Sequence, residues 1–251
     1  MGSEMCIRDR YIMKQHYRKK IPQFATELFA CGKDAGDWMF TGHRYKILYN
    51  AINTSVYTYS FEKAVTIREK LHVEQNLVIG HVGRFDAQKN HTFLLDIFSE
   101  CVNIVPNARL LLVGDGEGRT QIQEKAKSLG LEEKVIFTGV RNDVADLLQA
   151  MDVFVFPSLY EGVPVTMIEA QASGLPCVIS DGVPKDCVIT SGLVTSMKLS
   201  DRPCDWAKHI AAQLNRKREN HLEEIQAAGY DIVTAAKELE NFYLKKYGEE
   251  S

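Results

Sequence analysis

The stretch that decides the fold is Phe156-Pro-Ser-Leu-Tyr-Glu-Gly-Val-Pro-Val-Thr-Met-Ile-Glu169. It follows on from the apolar run Met151-Asp-Val-Phe-Val-Phe156, whose length and composition predict a strand buried on both faces. Pro164 suits the first position of a helix, where its missing N–H costs nothing. Gly174 then marks the end of that helix, with Pro176 just beyond it. We therefore expect a strand, a loop and a helix in close succession.

A helix that begins at the carboxyl end of a parallel strand is a site for anions. Its first N–H groups are free and its N-terminus carries a partial positive charge, so a phosphate group fits there. Glu161 lies in the preceding loop, and Glu169 lies roughly one and a half turns into the helix. Carboxylates in these places can accept hydrogen bonds from the hydroxyls of a ligand whose phosphates lie between them. The stretch predicts a site for a sugar nucleotide.

The two glutamates are separated by seven residues, with Gly162-Val-Pro between them and Ala170-Gln-Ala-Ser-Gly-Leu-Pro after the second. This pattern resembles the E-x7-E signature of retaining glycosyltransferases with the GT-B fold, above all those that assemble capsular polysaccharides and exopolysaccharides. Glutamates at this spacing also occur by chance on solvated helix faces, but here the strand, turn and helix signals fall where the motif requires them. The resemblance implies transfer of a sugar, with retention of configuration, from a nucleoside diphosphate donor to a growing glycan or lipid-linked acceptor. UDP is the expected nucleotide.

The composition limits the class of protein. The 251 residues carry a net charge of −3, with 25% charged and 45% hydrophobic residues, which is ordinary for a soluble globular protein. This charge gives no support for nucleic-acid binding, and no apolar run approaches membrane-spanning length. The six cysteines form no C-x-x-C pair, which favours reduced thiols in a cytoplasmic protein. The basic stretch 14–20 is interpreted as a solvated helix face, with peripheral contact at the inner face of the membrane as the alternative.

Predicted strands alternate with predicted helices along the chain. The predicted strands cover residues 24–31, 77–83, 109–113, 134–139, 151–156, 175–180 and 192–196. Residues 45–53 resemble the strand and turn that close the first domain in the GT-B family. The predicted helices include 61–71, 143–151 and a long charged one from about residue 220 to 247. This alternation predicts right-handed βαβ units and an α/β fold with a doubly wound, Rossmann-like parallel sheet. Ligands bind such sheets off the carboxyl ends of the strands.

The resemblance to the GT-B family also divides the chain. Residues 1–53 are expected to hold an N-terminal scar, from residue 1 to about residue 10, and the tail of the acceptor-binding domain, with Ala51 where the family usually has glycine. Residues 54–219 are expected to form the donor-binding domain, and 220–251 a helix that crosses back onto the first domain. Family members also use groups of the first domain, including a histidine that faces the donor. We therefore expect the isolated chain to bind donor but to turn over slowly or not at all.

Gly83-Arg84 and Lys89 match the family's G-R…K pair, which holds the donor diphosphate. Arginine can bind phosphate through two hydrogen bonds and lysine as a point charge, so both can stabilise the departing nucleotide. In the family, the second glutamate binds ribose hydroxyls and the first lies near the donor sugar. The candidate catalytic residues are therefore Glu161, Arg84 and Lys89. The candidate donor-binding residues are Gly83, Arg84, Lys89, Gly114, Val140, Arg141, Glu161, Gly162, Val163, Pro164, Val165, Thr166 and Glu169.

Further features bear on metals, cofactors and rival functions. The chain contains no D-x-D carboxylate pair, so we predict no metal and no cofactor, with the sugar nucleotide as substrate. The turn Gly114-Asp-Gly-Glu-Gly118 is either a plain turn or a wall of the ligand site. It fails as a dinucleotide fingerprint because Arg119 stands where a third glycine is needed, which weakens a rival NAD-dependent oxidoreductase. A second rival is a non-catalytic nucleotide-binding module that acts with a separate acceptor-domain chain.

Two loops after predicted strands complete the expected site. Val140 and Arg141 follow the strand after which family members hold the nucleotide base, largely through backbone groups. After the strand at 175–180, Lys185 and Asp186 stand where the family commonly has a glycine-rich turn and a glutamate. We expect this departure to alter contacts to the sugar and to leave the phosphate site unchanged.

Overall fold

The computed structural model describes residues 7–190, 192–213 and 216–250. The chain divides into two compact units, residues 1–50 and residues 51–251. The helices are α1 (Ile7–Phe24), α2 (Lys33–Met39), α3 (Thr54–Tyr57), α4 (Phe61–Leu71), α5 (His91–Ile104), α6 (Arg119–Ser128), α7 (Val144–Ala150), α8 (Val165–Ala172), α9 (Pro203–Gln213), α10 (Leu222–Ala227) and α11 (Ile232–Glu250). The strands are β1 (Phe29–Ala30), β2 (Lys46–Ile47), β3 (Leu77–Val82), β4 (Ala108–Val113), β5 (Val135–Phe137), β6 (Val153–Phe156), β7 (Cys177–Ser180) and β8 (Val194–Met197).

The first unit contains α1, α2 and the parallel strand pair β1–β2. The strand prediction over 24–31 is wrong for most of its length, because α1 continues to Phe24 and strand pairing begins at Phe29. Residues 7–10, set aside as part of a scar, belong to α1, while residues 1–6 lie outside the described residues. The basic stretch 14–20 lies on α1, and its lysines are exposed to solvent.

The second unit contains a parallel sheet of six strands in the order β5-β4-β3-β6-β7-β8. Every neighbouring pair in this sheet is parallel, which confirms the predicted α/β architecture. From β3 the chain moves outward through β4 and β5, and it then returns to the other side of β3 as β6. The order therefore reverses between β3 and β6. In open sheets of this kind the crevice at the reversal, outside the carboxyl ends of the strands, is where ligands bind.

Helices cover both faces of this sheet because the strand side chains alternate between them. On β4, Leu110 and Leu112 join one apolar cluster, while Leu111 and Val113 join the other. Helices α5, α6 and α9 contribute to the first cluster, and α4, α7 and α8 contribute to the second. Burial on both faces explains why the strands are continuously apolar. Complete burial of a side chain such as Phe154 contributes about 1.5–3 kcal/mol to folding.

Two helix predictions need correction and one helix end is confirmed. Pro164 is not the first helical residue but the residue that caps α8, with an extended backbone at φ −73° and ψ 110°. The single helix predicted from residue 220 to 247 is two helices, α10 and α11, because Gly229 between them adopts a left-handed φ of 85°. Gly174 follows α8 with a φ of 62°, as expected of a residue that terminates a helix.

Candidate functional site

Main-chain hydrogen bonds join the loops at the carboxyl edge of the six-stranded sheet, each loop to the next. In order along the sheet, these bonds run from N to O between Gly114 and Gly139 (2.9 Å), Phe85 and Asp115 (3.0 Å), Leu159 and Gln88 (2.8 Å), Glu161 and Gly182 (3.0 Å), and Asp181 and Met197 (2.8 Å). Backbone groups that leave the strand ladders thus find partners in neighbouring loops rather than in water. The loops after β3 and β6, which flank the reversal of strand order, meet directly in this series.

Lys89 and Glu161 form a buried ion pair in the crevice between β3 and β6. Lys89 Nζ lies 2.7 Å from Glu161 Oε1, and the two side chains are 16% and 5% exposed. Gln88 Nε2 donates to the other carboxylate oxygen, Glu161 Oε2, at 3.1 Å. The ammonium group also lies 4.7 Å from the centre of the Phe156 ring, a favourable cation–π geometry. Both oxygens of Glu161 therefore have donors, and the carboxylate is held in one orientation.

Arg84 lies on the same loop as Lys89, but its side chain is exposed. It pairs with no carboxylate among residues 7–190, 192–213 and 216–250. It lines a cavity of about 510 Å³ together with the turn after β4, from Asp115 to Gly118. The structure thus leaves a free guanidinium group beside an open space at the carboxyl edge, where an anionic ligand can reach it.

The glycines of the turn after β4 are explained by contact with the loop after β3. A Cβ atom on Gly114 would lie 2.1 Å from the carbonyl oxygen of Gly83, and one on Gly116 would lie 2.6 Å from that of Phe85. Gly118 N donates to the same Phe85 oxygen at 2.9 Å. Close backbone packing accounts for these glycines without a ligand, and the turn also lines the cavity beside Arg84.

The N-terminus of α8 points into the loop that holds Glu161. No side chain caps this helix. Gly162 is exposed, and a Cβ atom there would meet nothing within 4 Å. Residues 163–166 continue from this open glycine into the first turn of α8. The loop therefore presents the amide groups of an uncapped helix next to a buried carboxylate and a lysine, a setting that favours negative charge on a ligand.

Glu169 has a partner that the sequence did not indicate. Tyr57, on α3, donates its hydroxyl proton to Glu169 Oε1 at 2.6 Å. Burial raises the pKa of Glu169, while the hydrogen bond from Tyr57 opposes that rise. Burial also raises the pKa of Tyr57, so the phenol stays protonated and acts as donor. The two residues are 112 positions apart, so no local pattern could have revealed this contact.

The loops predicted to hold the nucleotide base and the sugar follow β5 and β7, and both carry exposed side chains. Val140 is 76% exposed, and the Arg141 guanidinium binds Asp143 through two hydrogen bonds. After β7, the side chains of Lys185 and Asp186 are exposed to solvent.

The loop after β7 is held to α8 by Gln171, which is completely buried. Its Nε2 donates to the Cys187 carbonyl at 2.7 Å, and its Oε1 accepts from the N–H groups of Ile189 and Thr190. No sequence pattern indicates this role, since glutamine is an ordinary residue in a helix. The helix that carries Glu169 thus also fixes the loop on the side expected to face the sugar.

Two buried histidines lie beneath the loop that carries Lys89. The ring centres of His81 and His91 are 4.7 Å apart, and His91 stacks on Phe85 at 4.2 Å. His81 Nδ1 contacts the Val155 carbonyl oxygen at 2.9 Å. Burial, followed by the charge of Lys89, lowers the pKa of His91 to about 4, and burial also lowers that of His81. Both rings are therefore neutral at pH 7.

Membrane-spanning helices and clusters of metal ligands are both absent from the described ranges, residues 7–190, 192–213 and 216–250. No helix there is long and apolar enough to cross a membrane. No group of three or more histidine, cysteine or acidic residues is placed there to hold a metal ion.

With the fold and the geometry of the site described, comparison with known proteins identifies the family of the chain. The model of the family described as "Glycosyl transferases group 1" matches residues 76–216 of the chain. The match covers more than half of the sequence, so the chain belongs to the glycosyl transferase group 1 family.

Two relatives and one solved structure illustrate the similarity. The chain is 37% identical over 236 residues to the putative glycosyltransferase EpsF of Bacillus subtilis, covering 90% of the chain and 62% of EpsF. It is 29% identical over 150 residues to an Escherichia coli UDP-Gal:alpha-D-GlcNAc-diphosphoundecaprenol alpha-1,3-galactosyltransferase, covering 58% of the chain and 39% of that enzyme. Anabaena Alr3699/HepE, solved in complex with UDP and glucose, superposes with a TM-score of 0.77 at 23% identity, covering 93% of the chain and 68% of that structure. The chain thus spans less than two thirds of both relatives.

Proposed function

We propose that this chain carries the donor half of a retaining glycosyltransferase that uses a nucleoside diphosphate sugar. The observation that carries the proposal is the meeting of Lys89, Glu161 and the uncapped N-terminus of α8 in the crevice between β3 and β6. UDP is the proposed nucleotide. It is supported by the UDP in the Anabaena structure of the same fold and by the UDP-Gal named for the Escherichia coli relative.

The charges of the site suggest where the donor diphosphate binds. Arg84 is free of carboxylate partners among the described residues, and Lys89 can share its charge between Glu161 and a phosphate. The first amide groups of α8, from Val165 onward, add a third set of donors. Together these groups would neutralise the diphosphate and stabilise the negative charge that develops as it leaves. We therefore propose that neither a metal nor a cofactor takes part in binding and release of the donor diphosphate.

The proposed chemistry gives retention without a carboxylate nucleophile. The bond between the donor anomeric carbon and its phosphate oxygen breaks, the acceptor hydroxyl oxygen bonds to that carbon from the same face, and the leaving phosphate takes the hydroxyl proton. A retaining glycosidase instead needs two carboxyl groups about 5–5.5 Å apart across the bond that is cut. Glu161 does not suit a nucleophile, because Lys89 and Gln88 occupy both of its oxygens. We assign Glu161 to the donor sugar and Glu169 to the ribose.

The remaining candidates surround this centre. The loop residues Gly83, Gly162, Val163, Pro164 and Thr166 would contribute backbone contacts to phosphate and sugar. Gly114, Val140 and Arg141 would border the nucleotide base.

The acceptor is proposed as a growing glycan or a lipid-linked sugar, in the synthesis of extracellular or capsular polysaccharide. The lipid-linked substrate named for the Escherichia coli relative supports this choice. The thiols of Cys31, Cys101, Cys177, Cys187 and Cys204 are free, which suits the reducing cytoplasm. For the basic stretch 14–20, a solvated helix face stays the preferred interpretation, and peripheral contact with the inner face of the membrane stays the alternative.

A second candidate is a non-catalytic nucleotide-sugar-binding subunit or fragment that needs a separate acceptor domain. The observation that favours it is that the groups gathered in the crevice suit binding of a diphosphate, while Lys89 and Gln88 already occupy both oxygens of Glu161. Donor binding is common to both candidates, and sugar transfer by the chain alone separates them. Robust transfer would exclude the second candidate, whereas donor binding without transfer would favour it.

Calorimetric titration with UDP, GDP, ADP and NAD, without added metal, tests donor binding. We expect UDP to bind, and we expect Arg84→Ala to weaken it by about 1–3 kcal/mol, because a hydrogen bond to a charged group is lost. Arg202→Ala is the matched control, since Arg202 is an exposed arginine at the start of α9 that pairs with Asp205. Binding of NAD alone would overturn the proposal. Absence of nucleoside diphosphate binding by a chain that unfolds cooperatively would overturn donor binding by this chain alone.

A further inference from the structure

The Tyr57–Glu169 contact lies at the edge of the proposed donor site and is built from rigid elements. The Tyr57 hydroxyl is 2.6 Å from Glu169 Oε1. Glu169 Oε2 has no hydrogen-bond donor among the described residues, and it is not among their buried unsatisfied atoms, so it remains open to solvent. One oxygen of the carboxylate is thus held by the protein, and the other is available to a ligand.

Helix α3, which carries Tyr57, is fixed at both of its ends. At its start, Thr54 Oγ1 donates to Asp231 Oδ1 at 2.8 Å, and both residues are buried. At its end, the buried Gln149 accepts from Ser60 N at 2.9 Å and donates to the Tyr57 carbonyl at 3.4 Å. The Tyr57 ring also packs against the apolar cluster beneath α8. The phenol is therefore held in place by the fold rather than by its contact with Glu169.

We propose that Tyr57 is a positioning residue of the donor site, which orients the Glu169 carboxylate so that its free oxygen accepts hydrogen bonds from the vicinal hydroxyls of the nucleotide ribose. This inference rests on the proposed function. An oriented carboxylate with one open oxygen suits a ligand that offers neighbouring hydroxyl donors in fixed geometry. A nucleotide lacking one of these hydroxyls leaves the partly buried oxygen unpaired, so the site should reject it.

Electrostatics supports the same role. Burial disfavours the charged form of Glu169, and the Tyr57 hydroxyl counteracts that effect, so the contact helps to keep the carboxylate ionised. Helices α3 and α10 pack against α8. From α10, Glu223 and Glu224 are exposed, and Glu224 pairs with His221. Tyr57 is therefore the titratable side chain that acts directly on Glu169 within the described residues.

The test compares the wild-type chain with Tyr57→Phe, which keeps the ring and removes the hydroxyl. Tyr59→Phe is the matched control, because Tyr59 contacts the Arg218 guanidinium through its ring face at 4.6 Å. We expect Tyr57→Phe to weaken UDP binding at pH 7 roughly tenfold and to reduce the preference for UDP over 2′-deoxy-UDP and 3′-deoxy-UDP. We expect Tyr59→Phe to bind as the wild type does.

The pH profile separates positioning from simple packing. Protonated Glu169 cannot accept hydroxyl protons at both oxygens, so affinity should fall as the pH drops through its pKa. Without the Tyr57 hydroxyl that pKa rises further, so in Tyr57→Phe the fall should begin at a higher pH. The protonation of UDP itself is the same in both experiments, so any difference between the two pH profiles arises from the protein. Carbon-13 NMR of the Glu169 carboxyl in the unliganded chains measures the same displacement without any nucleotide.

The outcomes distinguish this inference from the function on which it rests. If the wild type binds UDP and Tyr57→Phe matches it in affinity, deoxynucleotide preference and pH profile, the positioning role is wrong and donor binding stands. If the wild type binds no nucleoside diphosphate and the carboxyl titrations of the two chains coincide, both are overturned. A displaced carboxyl titration with no nucleotide binding would retain the Tyr57–Glu169 contact and overturn its assignment to a ribose.

Discussion

Replacing Lys89 with methionine should destabilise the second unit, because it leaves the Glu161 carboxylate buried without its cation. In the folded chain Lys89 Nζ lies 2.7 Å from Glu161 Oε1, and the Glu161 side chain is 5% exposed. Methionine keeps most of the aliphatic stem and removes the charge, together with the contact of the ammonium group with the Phe156 ring. The substitution therefore tests the electrostatic contribution of the pair more than its packing.

The magnitude follows from the geometry of the pair. Coulomb's law at an effective dielectric constant of about 20 gives roughly 6 kcal/mol of attraction at 2.7 Å, and desolvation of the two charges offsets much of it. Removing one partner of a buried pair costs about 3–5 kcal/mol. Gln88 still donates to Glu161 after the substitution, so we expect a loss near the lower end, about 3 kcal/mol. Removing both charges in Lys89→Met/Glu161→Gln should cost about 1 kcal/mol.

Urea unfolding of the wild type, the two single variants and the double variant measures the coupling energy of the pair. Lys208→Met is the control, because the pair between Lys208 and Asp205 is exposed and screened by solvent, so this variant should unfold as the wild type does. If the effects of the two single variants simply add in the double variant, the buried pair is not coupled and the reasoning above is refuted.

Two further predictions concern stability. Burial lowers the pKa of His91 from 6.5 to about 4, so the unfolded chain binds a proton at this residue at a higher pH than the folded chain does. The free energy of unfolding is therefore unaffected by His91 above pH 6.5 and falls as the pH drops toward 4. Urea unfolding across this window should show a loss of roughly 3 kcal/mol that His91→Phe removes, and an unchanged slope in that variant would contradict the assignment. Gly116→Ala should lose about 2 kcal/mol in thermal or urea unfolding, because its Cβ would lie 2.6 Å from the Phe85 carbonyl oxygen. Gly162→Ala, with open space around its Cβ, should be nearly neutral, and equal losses in the two variants would exclude a steric cause.

The sheet could be predicted from the sequence because its strands are short apolar runs separated by amphipathic helices. Helix α4 begins and ends at the predicted residues, since Ser60 accepts from Lys63 N at its start and His72 adopts a left-handed conformation at its end. The long C-terminal helix was predicted too long because a single glycine, Gly229, gives a weak local signal for a break. The strand predicted at 24–31 is wrong for most of its length, because α1 ends only at Phe24 and strand pairing is confined to Phe29 and Ala30.

The pairing of side chains could not be predicted. The sequence predicts that Lys89 and Glu161 lie in loops at the carboxyl edge of the sheet. Their ion pair depends on main-chain hydrogen bonds between those two loops, which only the folded chain reveals. Tyr57 reaches Glu169 because α3 is fixed by residues far along the chain, such as Asp231 and Gln149. Such contacts depend on where elements lie in the tertiary structure. Hydrophobic periodicity and secondary-structure propensity carry no information about that arrangement.

The main-chain bonds that link the loops from Gly139 across the edge to Met197 have a consequence for variation among related chains. Amide and carbonyl groups are common to almost all residue types, so this framework constrains backbone shape and leaves side-chain identity largely open. Exposed positions on it, such as Val140 and Lys185, can exchange without displacing Lys89 or Glu161. A scaffold of this kind would let recognition of the variable part of the proposed donor diverge while the groups proposed to hold its constant part stay in register.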